Sequence, residues 1–410
     1  MATPSGLRLS EYYHLNIPTF NPDKILGQYM GSIAVVHHDL KSIGGAEAVC
    51  MNILEALQSQ HDLYLITFEG ADIDRLNQAF NTKVEPEEIT IHQPRIFSIL
   101  SKAFPKRFSI LKDALRYLYL DLFLEDVDLV FSTKNEMYLD SFTLHYVHKS
   151  SFPDYINPNP QTVLREIYLS LSHWIGGLDE SKVRNDVFLA NSGWTATSLS
   201  EYYGVEPTVV YPPIDTARFT DQAWEDRESG FLCIGEIDPR KNILENIDII
   251  AELWNRNHDV HLHIIGPINS RDYYRKVADR ADDYDFIHIE GELSFEDIND
   301  MIDNHKYGIH GMSKEPFGMV VAEMIAGGMI PFVPNGGGQV EVVNKEGNLI
   351  YSSPSEAVKK TEHVISDLEV QQEIKGELEE MKTAFTKDRF HNEIRDIVDR
   401  TIDEQKSGNI

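Results

Sequence analysis

From about residue 31 onwards, short runs of β-branched and other apolar residues alternate with longer stretches of helical periodicity. The pattern predicts strands at Ile33–Val36, Leu63–Thr67, Asp128–Phe131, Thr143–Val147 and Val187–Ala190. A second series is predicted at Phe231–Ile234, Val260–Ile265, Phe286–Ile289, Tyr307–His310 and Ile330–Val333. Between them, apolar residues three and four apart predict helices over Ala46–Leu57, Thr195–Tyr203, Ile243–Trp254 and Met319–Ala326. Strands that are apolar along most of their length belong in parallel sheets covered on both faces, so the fold class is α/β with two doubly wound sheets. The series breaks at Tyr211–Gly230, where Pro212, Pro213 and the polar run Thr220–Gly230 read as a linker. The resulting division is an N-terminal extension without clear signal (1–30), a first domain (31–212), a linker (213–230), a second domain (231–388) and a C-terminal helix (389–410). In doubly wound sheets ligands bind beyond the carboxyl ends of the strands, so the cleft between two such domains is the expected site.

Composition narrows the class. The chain has 410 residues, enough for two domains of about 200 each. Its 42% hydrophobic and 10% aromatic content supports packed cores and excludes global disorder. With 66 acidic against 37 basic side chains the net charge is −29, which disfavours non-specific nucleic-acid binding. Acid in such excess resembles the surfaces of salt-adapted proteins; an ordinary acidic protein is the plainer reading. Two distant cysteines, Cys50 and Cys233, form neither a disulfide framework nor a cysteine zinc site, which points to a reducing interior. The first residues carry no apolar signal-peptide core, and the apolar run 317–334 is interrupted by Glu323 and glycines, so no membrane span is expected. A cytoplasmic location follows.

Three segments carry candidate chemistry. Gly44 and Gly45 follow the first strand and open a helix, where free N–H groups and the helix dipole attract phosphate; a plain tight turn is the competing explanation. Arg240 and Lys241 stand before another helix, against the dipole, in a chain otherwise acidic. That placement suggests an anion is held there. Glu315 precedes Pro316-Phe317-Gly318-Met319, and Glu323 follows eight residues after Glu315. If the first turn is nearly formed, the two carboxylates face one side of a helix and suit the vicinal hydroxyls of a sugar or ribose.

The stretch EPFGMVVAEMIAGG matches the E-x7-E signature of retaining GT-B glycosyltransferases, and the wider pattern resembles glycosyltransferase family 4. GGAEAVCMNILEAL, ANSGWTATSLSEYYG, VVYPPID, GEIDPRKN and PNGGGQVEVV agree in order and spacing over about residues 31–350. The resemblance implies two Rossmann-like domains, a C-terminal helix that crosses back, and a nucleotide-sugar donor (a GDP- or UDP-sugar) as substrate with no further cofactor. It places Lys241 and the Gly44–Gly45 loop at the donor diphosphate. Glu315 falls at the sugar hydroxyls, Glu323 at the ribose, and Phe317, Gly318 and Met319 at a loop whose amides meet sugar or phosphate. Where the family has Arg after the glycine of its GR-x4-K pattern, this chain has Glu236, and Arg240 is the candidate substitute. His148, in a segment resembling those of archaeal and eukaryotic lipid-linked mannosyltransferases, is placed beside the donor sugar and acceptor. The implied activity is transfer of a hexose to a lipid-linked glycan or surface polysaccharide precursor. A nucleotide-sugar epimerase on the same fold, and a catalytically weak sugar-nucleotide-binding subunit, are the alternatives.

Residues 95–116 invert the local charge: six cations, among them Lys102, Lys106 and Arg107, stand against one acid and are interleaved with apolar residues. A surface of this kind suits an anionic membrane and a lipid-linked acceptor on the inner face of the cell membrane. An ordinary packed helix with solvated lysines is the alternative. No metal site is expected. His37 and His38 point to opposite faces of a continuing strand, and His261 and His263 share a face but have no third ligand nearby in sequence.

Overall fold

The computed structural model describes residues 31–97, 99, 108–124, 127–151, 162–220 and 222–408. Residues 1–30 and the cations Lys102, Lys106 and Arg107 lie outside the described residues.

The first domain is a seven-stranded sheet of β1 (Ser32–Val36), β2 (Asp62–Ile66), β3 (Ile89–His92), β4 (Leu129–Ser132), β5 (Thr143–Val147), β6 (Val187–Ala190) and β7 (Thr208–Val209). Its order is β3-β2-β1-β4-β5-β6-β7, parallel throughout. The second is a six-stranded sheet of β8 (Glu228–Ile234), β9 (His261–Ile265), β10 (Ile287–Gly291), β11 (His305–Ile309), β12 (Ile330–Pro334) and β13 (Ile350–Tyr351). Its order, β10-β9-β8-β11-β12-β13, repeats the same winding, again all parallel. The central strands are buried almost completely, as their unbroken apolar sequences require.

The winding reverses beside β1 in one sheet and beside β8 in the other, and loops from these switch points face each other across the interdomain cleft. The C-terminal helix Lys387–Ser407 belongs to the first domain's core: Phe390, Ile394, Val398 and Ile402 pack with Ile53, Leu54, Leu57 and Tyr146. The chain therefore crosses back after the second domain. Strand β8 begins at Glu228, inside the polar run assigned to the linker, because its first residue pairs with His305 on β11. The edge strands β3, β7 and β13 are short and partly exposed, so their sequences lack the apolar run that marks the central strands.

Candidate active site

The cleft is a cavity of about 270 Å³, lined from the first domain by Gly45, Ala46, His148 and Asn191 and from the second by Lys241, His310, Glu315 and Phe317–Val320. Seven of the residues singled out from sequence therefore meet here: Gly45, His148, Lys241, Glu315, Phe317, Gly318 and Met319.

At its centre Lys241 Nζ lies 2.8 Å from Glu315 Oε2. Lys241 ends a one-turn 3₁₀ helix, Pro239–Lys241, whose amino end is capped by the Asp238 carboxylate. Asn242 then adopts a left-handed conformation and donates through Nδ2 to the Gly311 carbonyl, which turns Lys241 inward. Burial alone would raise the Glu315 carboxyl, but Lys241 and then His310 outweigh it and hold the pKa below its ordinary value. His310, the residue after β11, has Nε2 3.6 Å from Glu315. Burial and the Lys241 charge push its pKa down to about 4, so it is neutral at pH 7. Nothing along the chain marks His310, since a lone histidine at a strand end has no motif.

His148 follows β5. Its Nε2 lies 3.2 Å from the Thr133 carbonyl. A carbonyl only accepts, so the proton is on Nε2 and the Nδ1 lone pair is unprotonated. Burial, helped by His37, lowers its pKa to about 4. Behind it, the buried Glu47 in the first turn of helix Gly45–Leu57 is 3.2 Å from Lys134 Nζ and 3.5 Å from His37 Nε2. Burial opposes ionisation there, but His37 and Lys134 hold the carboxyl at about 2.

Two helix amino ends border the cavity, Gly45–Leu57 and Met319–Ala326, and neither is capped by a side chain. Both leave N–H donors for an anion. Gly45 has a further reason to be glycine: a Cβ there would lie 2.5 Å from Met319 Sδ of the other domain. Gly44 is extended and precedes that helix without lining the cavity.

Not every expectation holds in geometry. Arg240 does not line the cavity; its exposed guanidinium is 2.7 Å from Asp238 and 3.6 Å from Glu236, the residue that replaces the family arginine. It reaches the site only as a charge that helps keep Glu315 ionised. Glu315 and Glu323 do not share a helix face. The helix begins at Met319, after Gly318 at φ +99°, and Glu323 pairs with Arg218 at 2.8 Å. Phe317 is buried against Tyr211 and Phe385, so its backbone rather than its ring faces the cavity.

A second layer holds the domains together around the cleft. Gly193 N and Trp194 N, at the start of helix Gly193–Tyr203, donate to the two oxygens of Glu341 at 2.8 and 2.9 Å. Ser192 Oγ donates to the Pro316 carbonyl at 2.6 Å. Gly338 fits where a Cβ would lie 2.1 Å from that same carbonyl oxygen. The glycine run 336–338 thus lies directly on the loop that carries Glu315, and Gly338 N donates to Glu315 O at 2.8 Å.

Comparison with known proteins agrees with this fold. Residues 43–218 match the family described as Glycosyltransferase Family 4, and residues 216–380 match Glycosyl transferases group 1. The chain belongs to the two-domain GT-B glycosyltransferases, with a family 4 first domain and a group 1 second domain. It is similar to the mouse GDP-Man:Man(3)GlcNAc(2)-PP-Dol alpha-1,2-mannosyltransferase, 27% identical over 189 residues that make up 42% of this chain and 38% of the relative. The human protein of the same name is 26% identical over 202 residues, 45% and 41% of the two chains. The matched part thus spans about two fifths of these relatives; with that of Xenopus laevis, at 23% identity, it covers 75% of this chain and 73% of the relative. Among solved structures, Anabaena Alr3699/HepE in complex with UDP and glucose superposes with a TM-score of 0.64 at 15% identity, covering 90% of this chain and 99% of that one. Sucrose-phosphate synthase from Thermosynechococcus elongatus gives 0.65 at 15%, covering 90% and 98%. At such identities these likenesses speak for the fold.

Proposed function

We propose that this protein transfers a hexose from a nucleoside diphosphate sugar to a hydroxyl of a lipid-linked glycan, with retention at the anomeric carbon. The observation that carries the reading is the Lys241–Glu315 pair, set in the cleft between two uncapped helix amino ends. Departure of the nucleoside diphosphate is the electrostatic problem of this reaction. Lys241 and the N–H groups of the Gly45 and Met319 helices supply fixed positive potential where that charge develops. Glu315 accepts hydrogen bonds from donor-sugar hydroxyls and orients the anomeric carbon. Neutral His148 offers Nδ1 to a hydroxyl of the donor sugar or the acceptor. Glu323 is assigned to the ribose, exchanging its Arg218 partner for the two hydroxyls. No additional cofactor is assigned.

The named relatives make GDP-mannose the first donor to test, with UDP-glucose second. They also favour a transferase over the epimerase reading. The test is a thermal-shift screen of GDP- and UDP-sugars, followed by transfer of labelled sugar to lipid-linked oligosaccharide. Stabilisation by one donor, with product that keeps the donor's anomeric configuration, is expected. Binding without transfer to any acceptor would favour a sugar-nucleotide-binding subunit, and no binding at all would overturn the reading.

A membrane-facing acceptor is supported by a different surface. Helix Val163–Gly176 packs its Leu169–Ser172–Gly176 face on helix Ser109–Phe123, so closely that a Cβ on Gly176 would lie 2.6 Å from Ala114 Cβ. The opposite face leaves Val163, Leu164, Ile167, Leu171 and Trp174 exposed, with Leu118 and Leu122 of helix Ser109–Phe123 exposed as well. We assign this face to a lipid surface; helix Ser109–Phe123, which contributes Leu118 and Leu122, follows in sequence on the basic segment that holds Lys102, Lys106 and Arg107. No helix among the described residues is long and apolar enough to cross a membrane.

A further inference from the structure

At the end of the second sheet opposite the cleft, four histidines gather on one face. His261 and His263 alternate along β9, His288 pairs in register with His263 from β10, and His305 opens β11. The sequence placed no third ligand beside His261 and His263. The fold supplies one from 42 residues further on, because β11 lies next to β8 and β8 next to β9. The strand between is β8, and there the chain has Gly230. A Cβ at that position would lie 2.2 Å from His261 Nε2 and 2.6 Å from His305 Cδ2. The missing side chain is what lets imidazoles from two non-adjacent strands meet.

One ligand atom from each of His261, His263 and His305 lies within 4.8 Å of the others. In His305 and His263 the other ring nitrogen is held as metal-binding histidines require. His305 Nδ1 donates to the Met301 carbonyl at 2.7 Å, so its Nε2 carries the lone pair; that nitrogen is buried and has no hydrogen-bond partner. His263 Nδ1 donates to Glu290 Oε1 at 2.7 Å, which leaves its Nε2 unprotonated. His261 Nε2 is also buried without a hydrogen-bond partner, and the Glu228 carboxylate stands 3.5 Å away. A carbonyl or carboxylate behind a ligating imidazole fixes its tautomer and raises its basicity.

We propose that His261, His263 and His305 form a binding site for a divalent transition-metal ion of the zinc class, with Glu228 or water in the fourth position. Imidazole ligands select zinc and its neighbours over calcium and magnesium. Tetrahedral zinc at about 2.0–2.1 Å holds nitrogens roughly 3.4 Å apart, so the rings need to close by up to about 1.4 Å. The Glu228 and Glu290 carboxylates offset the charge that three neutral ligands leave on the ion. The role is structural: the ion ties β9 to β11 across β8. His305 begins β11 and His310, in the cleft, follows its end, so the site stands roughly 16 Å from the donor cavity along that strand.

The test uses the full chain, freed of metal with a chelator and titrated with Zn²⁺ in excess Mg²⁺, with Co²⁺ as an optical probe. One tightly bound Zn²⁺ per chain is expected, as are the strong visible bands of four-coordinate Co²⁺ and a raised melting temperature. His263→Ala and His305→Gln should each weaken Zn²⁺ binding at least 100-fold, and Glu290→Gln about 10- to 100-fold. Gly230→Ala, which keeps every imidazole but fills the gap, should also abolish the Co²⁺ bands. Absence of stoichiometric binding overturns the proposal. So does Zn²⁺ affinity unchanged in the histidine variants, which would place the ion on the acidic surface. Circular dichroism of each metal-free variant separates loss of ligand from loss of fold.

Discussion

At the residue scale the site is a problem of placing one cation. Lys241 stands within hydrogen-bonding distance of Glu315 in a cleft where both side chains are mostly buried, so charge is felt more strongly than at the open surface. Removing one preorganised donor aimed at developing charge costs about 10²–10³ in turnover. Lys241→Met should therefore lower kcat by about that factor, with donor affinity falling less, as steady-state kinetics with the preferred donor will show. Wild-type turnover would remove Lys241 from the diphosphate. The two neutral histidines give a second expectation. His148 and His310 are each held near pKa 4, below the unfolded value of about 6.5. Between those values the unfolded chain binds more protons than the folded one, so stability is lost as pH falls from about 6.5 towards 4, by about 3 kcal/mol for each group at most. The buried Glu47, near 2 when folded, adds a loss only below about pH 4.5. Urea unfolding at pH 7.5, 6 and 5 should show falling midpoints. A flat profile over that range would mean that both imidazoles take up protons in the fold at the same pH as in the unfolded chain.

At the scale of elements, glycine run 336–338 and Glu341 decide how the Glu315 loop is held. A Cβ on Gly338 meets a backbone carbonyl and Ser192, neither of which can swing aside as a long side chain can. Gly338→Ala should raise the donor KM at least tenfold and lower the melting temperature by several degrees. Glu341→Gln should loosen the domains with a smaller effect on KM, since a neutral amide still accepts one of the two N–H bonds. Calorimetry and kinetics on the same samples distinguish the two, and an unchanged KM in Gly338→Ala would detach the glycine run from the site. Legibility in sequence divides along the same line. The central strands and the helix Met319–Ala326 were readable because burial on both faces, or 3.6-residue spacing, writes itself into apolar pattern. Gly45, Lys241 and Glu315 were readable because they fall in local motifs. Glu341 and His310 were not, since each works through a partner brought in by the fold, and neither has a sequence signature. Arg240 misled for the opposite reason: its charge was visible, but its pairing with Asp238 and Glu236 was not. The histidine cluster needed a strand order that no spacing along the chain specifies.

At the scale of the whole molecule, the net charge of −29 sets a conflict with the membrane role proposed above. A chain this acidic is repelled by an anionic bilayer, and the repulsion reaches about 10 Å at 0.1 M salt. Attachment then needs apolar contact in addition to the local cations. The face of helix Val163–Gly176 offers it, with Leu164 and Trp174 each 81% exposed. Burying one such side chain is worth about 1.5–3 kcal/mol, so two of them shift a partition constant by two orders of magnitude or more. If this face inserts, vesicle binding should persist or strengthen as salt rises from 0.1 to 0.5 M, because screening weakens the general repulsion and leaves insertion untouched. Leu164→Ser with Trp174→Ser should then reduce co-sedimentation with vesicles at least tenfold, while donor-induced thermal stabilisation stays unchanged. Neutralising Lys102, Lys106 and Arg107 should weaken binding to anionic vesicles and leave binding to neutral ones alone. Binding that vanishes at 0.5 M salt and ignores the apolar substitutions would hand the whole interaction to the cations and leave the exposed helix face without a lipid to cover it.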